Sequence, residues 1–261
     1  MLKRIAGSIR QQDWFAVGIE ILVVMIGLLL AFQLDRWRDS IAERQREQTY
    51  VDRLSADVAA DVPAIEYAVE LQTMRLDFIE LLMSVARNPM VATEQPITFL
   101  GAVSQAAYTY TPVLTSHTFE NLRSTGDLRL ILDETVKDEM FEYYGYDEAQ
   151  RQYRPLQFST EFRHFELAAS VLSHEQEVLL QDNWLFFRPD DFDEIQQTLT
   201  DLPQVIAAAE RLQQRSDLVA WLPYVRSMQL EQIVVHGTRL ERAQNVLRKL
   251  NEYSQEIRDR R

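Results

Sequence analysis

The feature that most constrains this chain is an apolar run near its N-terminus, from Phe15 to Phe32, within the stretch DWFAVGIEILVVMIGLLLAFQLDRW. The only ionisable side chain in the run is Glu20. As an α-helix the run would be about 27 Å long, which is enough to cross the hydrocarbon core of a bilayer. Buried helices of soluble proteins are rarely apolar on every side over such a length. The residues that follow also lack the small-residue cleavage site of a signal peptide. The run therefore predicts a transmembrane anchor.

Tryptophans flank this run at the positions where interfacial aromatic residues are expected, so Trp14 and Trp37 are predicted to anchor the two membrane interfaces. The number of Lys and Arg residues on the two flanks barely discriminates between the orientations. The tail 1–13 is nevertheless short and basic, like the start of a signal anchor. We therefore expect the N-terminus in the cytoplasm and the rest of the chain on the other side.

Glu20 raises the question of why a carboxylate lies inside the apolar run. Gly27 and Ala31 form a small-xxx-small pair, which lets a second helix approach closely, and a polar group on the same face can bond across the contact. Two other readings stay open: a tolerated glutamate near the headgroups, and a site for proton or ion passage. At 100° per residue, the residues that share this face are Ala16, Glu20, Val24, Gly27 and Ala31.

Composition excludes several kinds of site. A formal net charge of −13 argues against nucleic-acid binding, because neutralising phosphates requires a basic surface. It does not exclude a local basic patch, such as the C-terminal RDRR. With no cysteine, the chain cannot form thiolate nucleophiles, disulfides, iron–sulfur clusters or cysteine zinc sites. Few glycines and isolated prolines between long periodic segments predict a mostly helical protein.

A stripe of apolar residues with helical spacing follows the anchor and continues to about Arg87. It crosses Pro63, so we expect either one kinked helix or two successive helices. The stripe would face the protein's own core or, alternatively, form a parallel coiled coil between protomers. Its members are Val51, Leu54, Val58, Val62, Ile65, Val69, Leu76, Ile79 and Met83.

The rest of the chain is predicted to form shorter helices separated by turn residues. A helix over 97–110 comes first. Thr115 or Ser116 then caps a helix that ends at Gly126, and Asp133 caps the next one. Further helices are expected over 148–173 with a break at Pro155, and over 173–181, 190–199, 202–213 and 217–257, the last marked by Pro223 and Gly237.

Glu161 and His164 form a Glu-x-x-His unit, which helical di-iron proteins use as metal ligands. Such a site needs a second copy of the unit and two more glutamates, and the sequence offers no second copy; His174 to Glu177 has the reverse order. We therefore predict no metal or cofactor, and a solvated or capping role for His164. Phosphate-binding loops, nucleophile elbows and kinase motifs are also absent from the sequence.

Acidic and aromatic clusters have structural readings as well. Asp190, Asp191, Asp193 and Glu194 lie where carboxylates favour a helix start. Aromatic residues are expected to pack in the core, although a binding wedge or a ligand pocket is the alternative. They are Trp184, Phe186 and Phe187 in one run and Tyr143, Tyr144 and Tyr146 in another.

Two segments resemble a known family. The anchor GIEILVVMIGLLLAFQLDRW is similar to the N-terminus of a family of bacterial single-pass membrane proteins described by a domain of unknown function. The block FENLRSTGDLRLILDETVKDEMFEYY is similar to that family's central motif. The two matches cover about a quarter of the chain. The resemblance implies an N-terminal anchor followed by a helical domain, and it implies no activity, substrate or catalytic residue.

These expectations define an all-α protein of the bacterial cytoplasmic membrane with its large domain outside the cytoplasm. Its parts are a cytoplasmic tail 1–13, an anchor 14–37, a juxtamembrane helical region 38–88, and a bundle 89–261 that packs with 38–88. We expect a non-enzymatic assembly module that contacts the bilayer and a second copy or another membrane protein. The alternative is a ligand-sensing bundle that signals through a partner, with a ligand that the sequence does not identify.

Overall fold

The structure is a computed structural model that describes residues 14–181 and 201–259, and over these ranges it is all-α with no strand. Two 3-10 turns, Pro89–Thr93 and Asp127–Leu130, connect longer elements. The all-α prediction is confirmed for this part of the chain. The helices are α1 Trp14–Arg87, α2 Pro96–Gln105, α3 His117–Thr125, α4 Glu134–Arg151, α5 Arg154–Ala168, α6 His174–Gln181, α7 Leu202–Gln214 and α8 Ser216–Asp259.

Helix α1 is continuous over 74 residues and contains Pro63 in its interior. A helix of that length extends for about 110 Å. Pro63 and Ala59 are both exposed, so the carbonyl that loses its hydrogen-bond partner to the proline lies on the solvent side. Of the two alternatives expected for this region, the structure therefore has one helix rather than two. The boundary expected at residues 37 and 38 falls inside it.

One end of α1 matches the expected membrane segment. The helix carries an 18-residue window with a mean hydropathy of 2.0, none of which is buried. Among the described helices, it alone is long and apolar enough to cross a membrane. Trp37, which follows the apolar run, is 60% exposed.

The other part of α1 packs antiparallel against α8. Near the apolar segment, the hydroxyl of Tyr253 donates to a carboxylate oxygen of Glu47. Far from it, Arg226 pairs with Glu80. Residue numbers rise along one helix as they fall along the other, so the two helices form the long axis of the bundle.

Two hydrophobic cores lie along this axis. The near core, closer to the apolar segment, joins α1, α3, α4 and the end of α8. The far core joins the end of α1 to α2, α5, α7 and the start of α8. Fully buried residues of the near core include Val51, Leu54, Val58, Ile65, Phe119 and Tyr143, and those of the far core include Phe78, Ile79, Leu82, Phe99, Leu212 and Leu222.

The apolar stripe after the anchor therefore faces the protein's own core. Val51, Leu54 and Val58 have no exposed surface and contact other helices of the same chain. Burying a side chain of this size contributes about 1.5–3 kcal/mol. The stripe therefore packs in the core of its own chain, as the first of the two alternatives predicted, and does not form a coiled coil between protomers.

Local signals around α3 and α4 are mostly confirmed. Gly126 ends α3 with φ of +75°, in the left-handed region that glycine adopts without a steric cost. Asp133 caps α4, accepting from the backbone N–H of Thr135 and of Val136. Ser116 occupies the N-cap position of α3, but its side chain makes no capping bond. The break near Pro155 separates α4 from α5.

The helix expected over 97–110 is too long. Helix α2 ends at Gln105, and residues 108–116 have no helical assignment. Helix α8, by contrast, continues through Pro223 and Gly237 without interruption. The helix expected over 190–199 lies outside the described residues.

We expect Asp133→Ala to lower the free energy of unfolding by about 1 kcal/mol, because the first turn of α4 loses its cap. The hydroxyl of Thr135, with the two backbone N–H groups, holds the pKa of Asp133 below its ordinary value. A lowered folded-state pKa stabilises the fold above the unfolded-state pKa and loses that effect as pH falls through the folded value. The deficit of the variant should therefore shrink below about pH 4.

Chemical unfolding in detergent at neutral and acidic pH measures this effect. Asp138→Ala, an exposed change within the same helix, is the matched control and should cost little. Equal stability losses for the two variants at neutral pH would contradict the capping role.

Candidate functional site

Buried polar side chains gather between the near core and the far core, and we call this group the central polar layer. In α1, Gln72 and Arg75 lie in the turns between the two cores, and Asp61 lies among the residues of the near core. In α8, the layer occupies the turns between the two cores. A buried polar group is costly unless it is hydrogen-bonded, so its partners reveal its role. The layer consists of Asp61, Gln72, Arg75, Asp147, Glu161, His164, Gln229, His236 and Arg239, each at most 5% exposed.

The layer surrounds the non-helical chain that follows α2. The side-chain amide of Gln229 donates to the carbonyls of Ala106 at 2.9 Å and Tyr108 at 3.1 Å. The amide of Gln72 donates to the carbonyl of Tyr110 at 3.3 Å. These bonds replace those that a longer α2 would make, which explains why the helix ends before residue 110.

A buried ion cluster connects α4 to α8. Arg239 is 1% exposed, and its guanidinium lies 3.0 Å from a carboxylate oxygen of Asp147. The other carboxylate oxygen of Asp147 accepts from Nε of Arg151 at 2.9 Å. Arg239 also lies 2.7 Å from Nδ1 of His236, one turn earlier on α8. Burial, followed by the charge of Arg239, lowers the pKa of His236 to about 4. This histidine is therefore neutral at physiological pH and accepts a bond from the arginine.

A second buried contact connects α1 to α4. The hydroxyl of Tyr143 donates to Asp61 at 2.8 Å, and the backbone N–H of Thr115 donates to the other oxygen of the same carboxylate at 2.9 Å. Burial raises the pKa of Asp61, and these bonds partly offset the rise. Burial, with the carboxylate beside it, also raises the pKa of Tyr143. The carboxylate is thus held by donors from two parts of the fold.

All three tyrosines of this region bond inside the protein. Tyr144 donates to the carbonyl of Thr115 at 3.2 Å, and Tyr146 donates to that of Val235 at 3.3 Å. The expectation that these tyrosines pack and hydrogen-bond internally is confirmed.

The Glu-x-x-His pair lies in α5, but its side chains bind different backbone segments. Glu161 accepts from the backbone N–H of Thr109 at 2.9 Å and from the threonine hydroxyl. Nε2 of His164 lies 3.0 Å from the carbonyl of Val103. His164 has no exposed surface, so the expected solvated or capping histidine is wrong. Burial lowers the pKa of His164 to about 4 and raises that of Glu161.

A positive charge is also buried beside the same non-helical segment. Arg75 is 2% exposed, and its guanidinium lies over the rings of Phe78 at 5.3 Å and Tyr108 at 6.0 Å. Burial lowers the pKa of Arg75 to about 10, although the arginine remains protonated at neutral pH. The aromatic faces stabilise a charge that is otherwise removed from water.

One member of the layer reaches the surface through a groove between α3 and α4. The groove has a volume of about 310 Å³, and Asp147 and Arg151 form part of its wall. Phe119 and Tyr144, whose rings stack at 4.4 Å, line it as well. Gly145 also borders the groove, and a side chain added there would meet no atom within 4 Å. The groove therefore has room for a small molecule next to the buried ion cluster.

The residues of the predicted transmembrane face all lie in α1. Glu20, Val24, Gly27 and Ala31 are exposed, and a side chain added at Gly27 would meet nothing within 4 Å. For Ala16 and Trp14, the helical backbone is described but the side chains are not. The acidic cluster 190–194 and the aromatic run 184–187 lie outside the described residues.

Among the described residues, no group of three or more histidine, aspartate or glutamate side chains is arranged to hold a metal ion. Comparison of the chain with protein-family models, with curated proteins and with solved structures found no match. The arguments about function therefore rest on the chain's own residues.

Sequence reasoning singled out Glu161 and His164 but missed the central polar layer to which they belong. Its pairs join residues far apart in the chain, such as Asp147 with Arg239 and Asp61 with Tyr143, and neither pair has a local spacing signal. The one available hint was polar residues at core-facing helical positions, such as Gln72 and Arg75 within the stripe of α1.

We expect Asp147→Ala to lower the free energy of unfolding by roughly 3–5 kcal/mol, because Arg239 would keep a buried charge without its carboxylate partner. Adding Arg239→Met should restore part of the loss. The matched control is Glu142→Ala. Glu142 lies in α4, as Asp147 does, and its exposed side chain pairs with Arg242, so its loss should cost under about 1 kcal/mol. Unfolding in detergent measures all of these effects, and a loss no larger than that of the control would contradict the argument.

We expect stability to fall between pH 7 and pH 5 partly because of His164. Its pKa of about 4 lies below the ordinary 6.5, so in this range the unfolded chain binds a proton that the folded chain does not. The contribution is present above the unfolded-state pKa and is lost as pH falls toward the folded value. For this histidine alone the loss is about 2 kcal/mol.

His164→Gln should remove that share of the pH dependence, since its amide can still donate to the carbonyl of Val103. Exposed His117→Gln is the control and should leave the wild-type pH dependence unchanged. Parallel pH profiles for wild type and His164→Gln would show that burial of this histidine does not contribute.

Proposed function

We propose that this protein is a membrane-anchored, non-enzymatic assembly module of the bacterial cytoplasmic membrane. In this proposal its helical bundle lies outside the cytoplasm and its N-terminus inside. It associates with a second copy or with another membrane protein through the face that contains Glu20 and Gly27. The family resemblance of the anchor and of the block around α3 and α4 is in keeping with such a protein.

The observation that carries the proposal is the continuity of α1. The same helix supplies an exposed apolar segment at one end and fully buried core residues at the other, with no break between them. Because α8 packs along the second part of α1, the apolar segment and the bundle would rotate or shift together as one body. Such a construction suits a protein that holds a domain in a fixed relation to membrane partners.

The central polar layer gives further support. Asp61, Glu161 and Nε2 of His164 each bond to a neighbouring group of the protein. Side chains with such partners stabilise a fold, whereas an acid or base in catalysis must reach a substrate.

The proposed membrane contact rests on helix geometry. Successive intervals of four, three and four residues place Glu20, Val24, Gly27 and Ala31 along one side of a helix. Gly27 lets a neighbouring backbone approach, and a shallow Glu20 supplies a polar group for an interhelical bond.

We expect Gly27→Leu to weaken self-association in mild detergent by roughly 1–2 kcal/mol, because the added side chain separates the helices. Gly18→Leu is a closely matched control: it makes the same exchange in the same helix, on the opposite side, and a side chain at Gly18 also meets nothing within 4 Å. Sedimentation equilibrium of the two variants and of Glu20→Ala gives the comparison. An oligomer that is equally stable in all three would refute this face as the contact.

A second function, ligand sensing through a partner protein, is favoured by the groove beside Asp147. A ligand that bonded to Arg151 would compete with the carboxylate of Asp147, which also pairs with Arg239 in α8. The change would then reach α1 through the α1–α8 contact. A compound that binds the groove should raise the melting temperature, and above its Kd the rise should grow with the logarithm of its free concentration. Arg151→Ala should abolish the rise.

A further inference from the structure

A separate cavity lies at the end of the bundle that is closest to the apolar segment. It has a volume of about 320 Å³ and is formed by the part of α1 just beyond Trp37, the second 3-10 turn with the residues that follow it, and the end of α8. Its lining residues are Ser40, Glu43, Arg44, Glu47, Arg129, Leu130, Leu132 and Ile257.

The position of this cavity relative to the anchor is set by helix geometry. Ser40 follows Trp37 by three residues, which places it about 4.5 Å farther along α1. A tryptophan at the end of a membrane span lies at the level of the lipid headgroups. If the apolar segment crosses a bilayer, the cavity therefore opens onto the headgroup region.

Two arginines give the cavity its polar side. The guanidinium of Arg44 donates to the carbonyl of Ser40 at 3.2 Å and to its hydroxyl at 3.3 Å. These bonds hold it on the cavity side of α1. Arg129 lies opposite, and its nearest carboxylate contact, with Glu43, is long at 3.7 Å between groups that are 70% and 51% exposed. Such a contact contributes little and exchanges readily for a phosphate, which a guanidinium binds in bidentate geometry.

The second acidic residue of the lining is already engaged by the protein. A carboxylate oxygen of Glu47 accepts from the hydroxyl of Tyr253, and the same hydroxyl accepts from the backbone N–H of Leu132 at 2.8 Å. Glu47 is only 4% exposed. The bonds of this group also fix the backbone of the chain that carries Arg129 and the leucines.

The opposite side of the cavity is apolar. Leu130 and Ile257 are nearly buried, whereas Leu132 is 64% exposed. An exposed leucine beside two guanidinium groups matches a ligand with an anionic part and an apolar part. A bilayer phospholipid has both, and its acyl chains would extend toward the apolar segment of α1.

We propose that this cavity binds the phosphodiester of a bilayer phospholipid between Arg44 and Arg129, with the glycerol end of the lipid against Leu132 and Ile257. The proposal rests on the membrane-anchored function proposed above. In this arrangement the bound lipid joins α1, the 129–132 chain and α8 at the membrane surface, and it fixes the height and tilt of the bundle.

The test uses the full chain in nanodiscs of phosphatidylethanolamine and phosphatidylglycerol, released into native mass spectrometry. The wild-type chain should retain bound phospholipid, and the double variant Arg44→Gln/Arg129→Gln should retain it with roughly tenfold lower affinity, since two charge-assisted contacts are lost. The matched control is Arg163→Gln/Arg248→Gln, which removes two exposed arginines, each paired on its own helix, and should behave as wild type.

Each outcome decides a different point. Equal lipid retention by the two double variants would overturn the cavity assignment while leaving the anchor intact. Failure of the wild-type chain to enter nanodiscs would instead refute the anchor. Displacement of the lipid by inorganic phosphate at an equal concentration would overturn the phospholipid assignment, because phosphate alone lacks the apolar contacts.

Discussion

The antiparallel packing of α1 against α8 is the contact on which the other elements depend. Both cores and the central polar layer are built along this pair, and the shorter helices complete each core from the side. Since α1 also carries the apolar segment, the same helix must satisfy two environments. Its first part is apolar on all sides, and its later part is apolar only where it meets the bundle. The change between these patterns lies near Trp37, where the proposed membrane span would end.

The central polar layer selects one register of the packed helices, and burying its polar groups costs free energy. Two continuous apolar cores on long helices would allow α8 to shift along α1 by a turn with little loss of burial. The buried pair of Arg239 with Asp147 permits one register of α8 against α4, since any shift would leave a charge unpaired. Gln72 and Gln229 act similarly on the non-helical segment, because they hold its carbonyls at fixed heights along the two helices. Buried polar groups set registry in other helical assemblies for the same reason.

The sequence was informative wherever the deciding interaction is local. The apolar run, the cap at Asp133, the left-handed turn at Gly126 and the break near Pro155 each depend on residues within a few positions, and the structure has all four. Helix α2 was misjudged because its end is decided by Gln229, more than a hundred residues away. The Glu161 and His164 spacing was readable as a local pattern, but their partners, Thr109 and Val103, are in another segment. The candidate site was therefore least accessible to sequence reasoning, since tertiary contacts alone bring it together.

The two surface cavities lie at different places along the same rigid axis, and this separation shapes how the protein could respond to its surroundings. In the proposed lipid site, a phospholipid held at Arg44 and Arg129 would act at the end of the bundle nearest the apolar segment, where a small change of tilt is amplified along the length of α1. A ligand in the groove acts on Asp147, whose partner Arg239 lies in the middle of α8. The lipid cavity is lined by residues of α1 and α8, whereas the groove reaches α8 through the pair of Asp147 and Arg239. If occupancy of each site shifts the position of α8, the two binding free energies are coupled. A membrane-anchored module built in this way would transmit binding as a change in orientation rather than through a separate output domain.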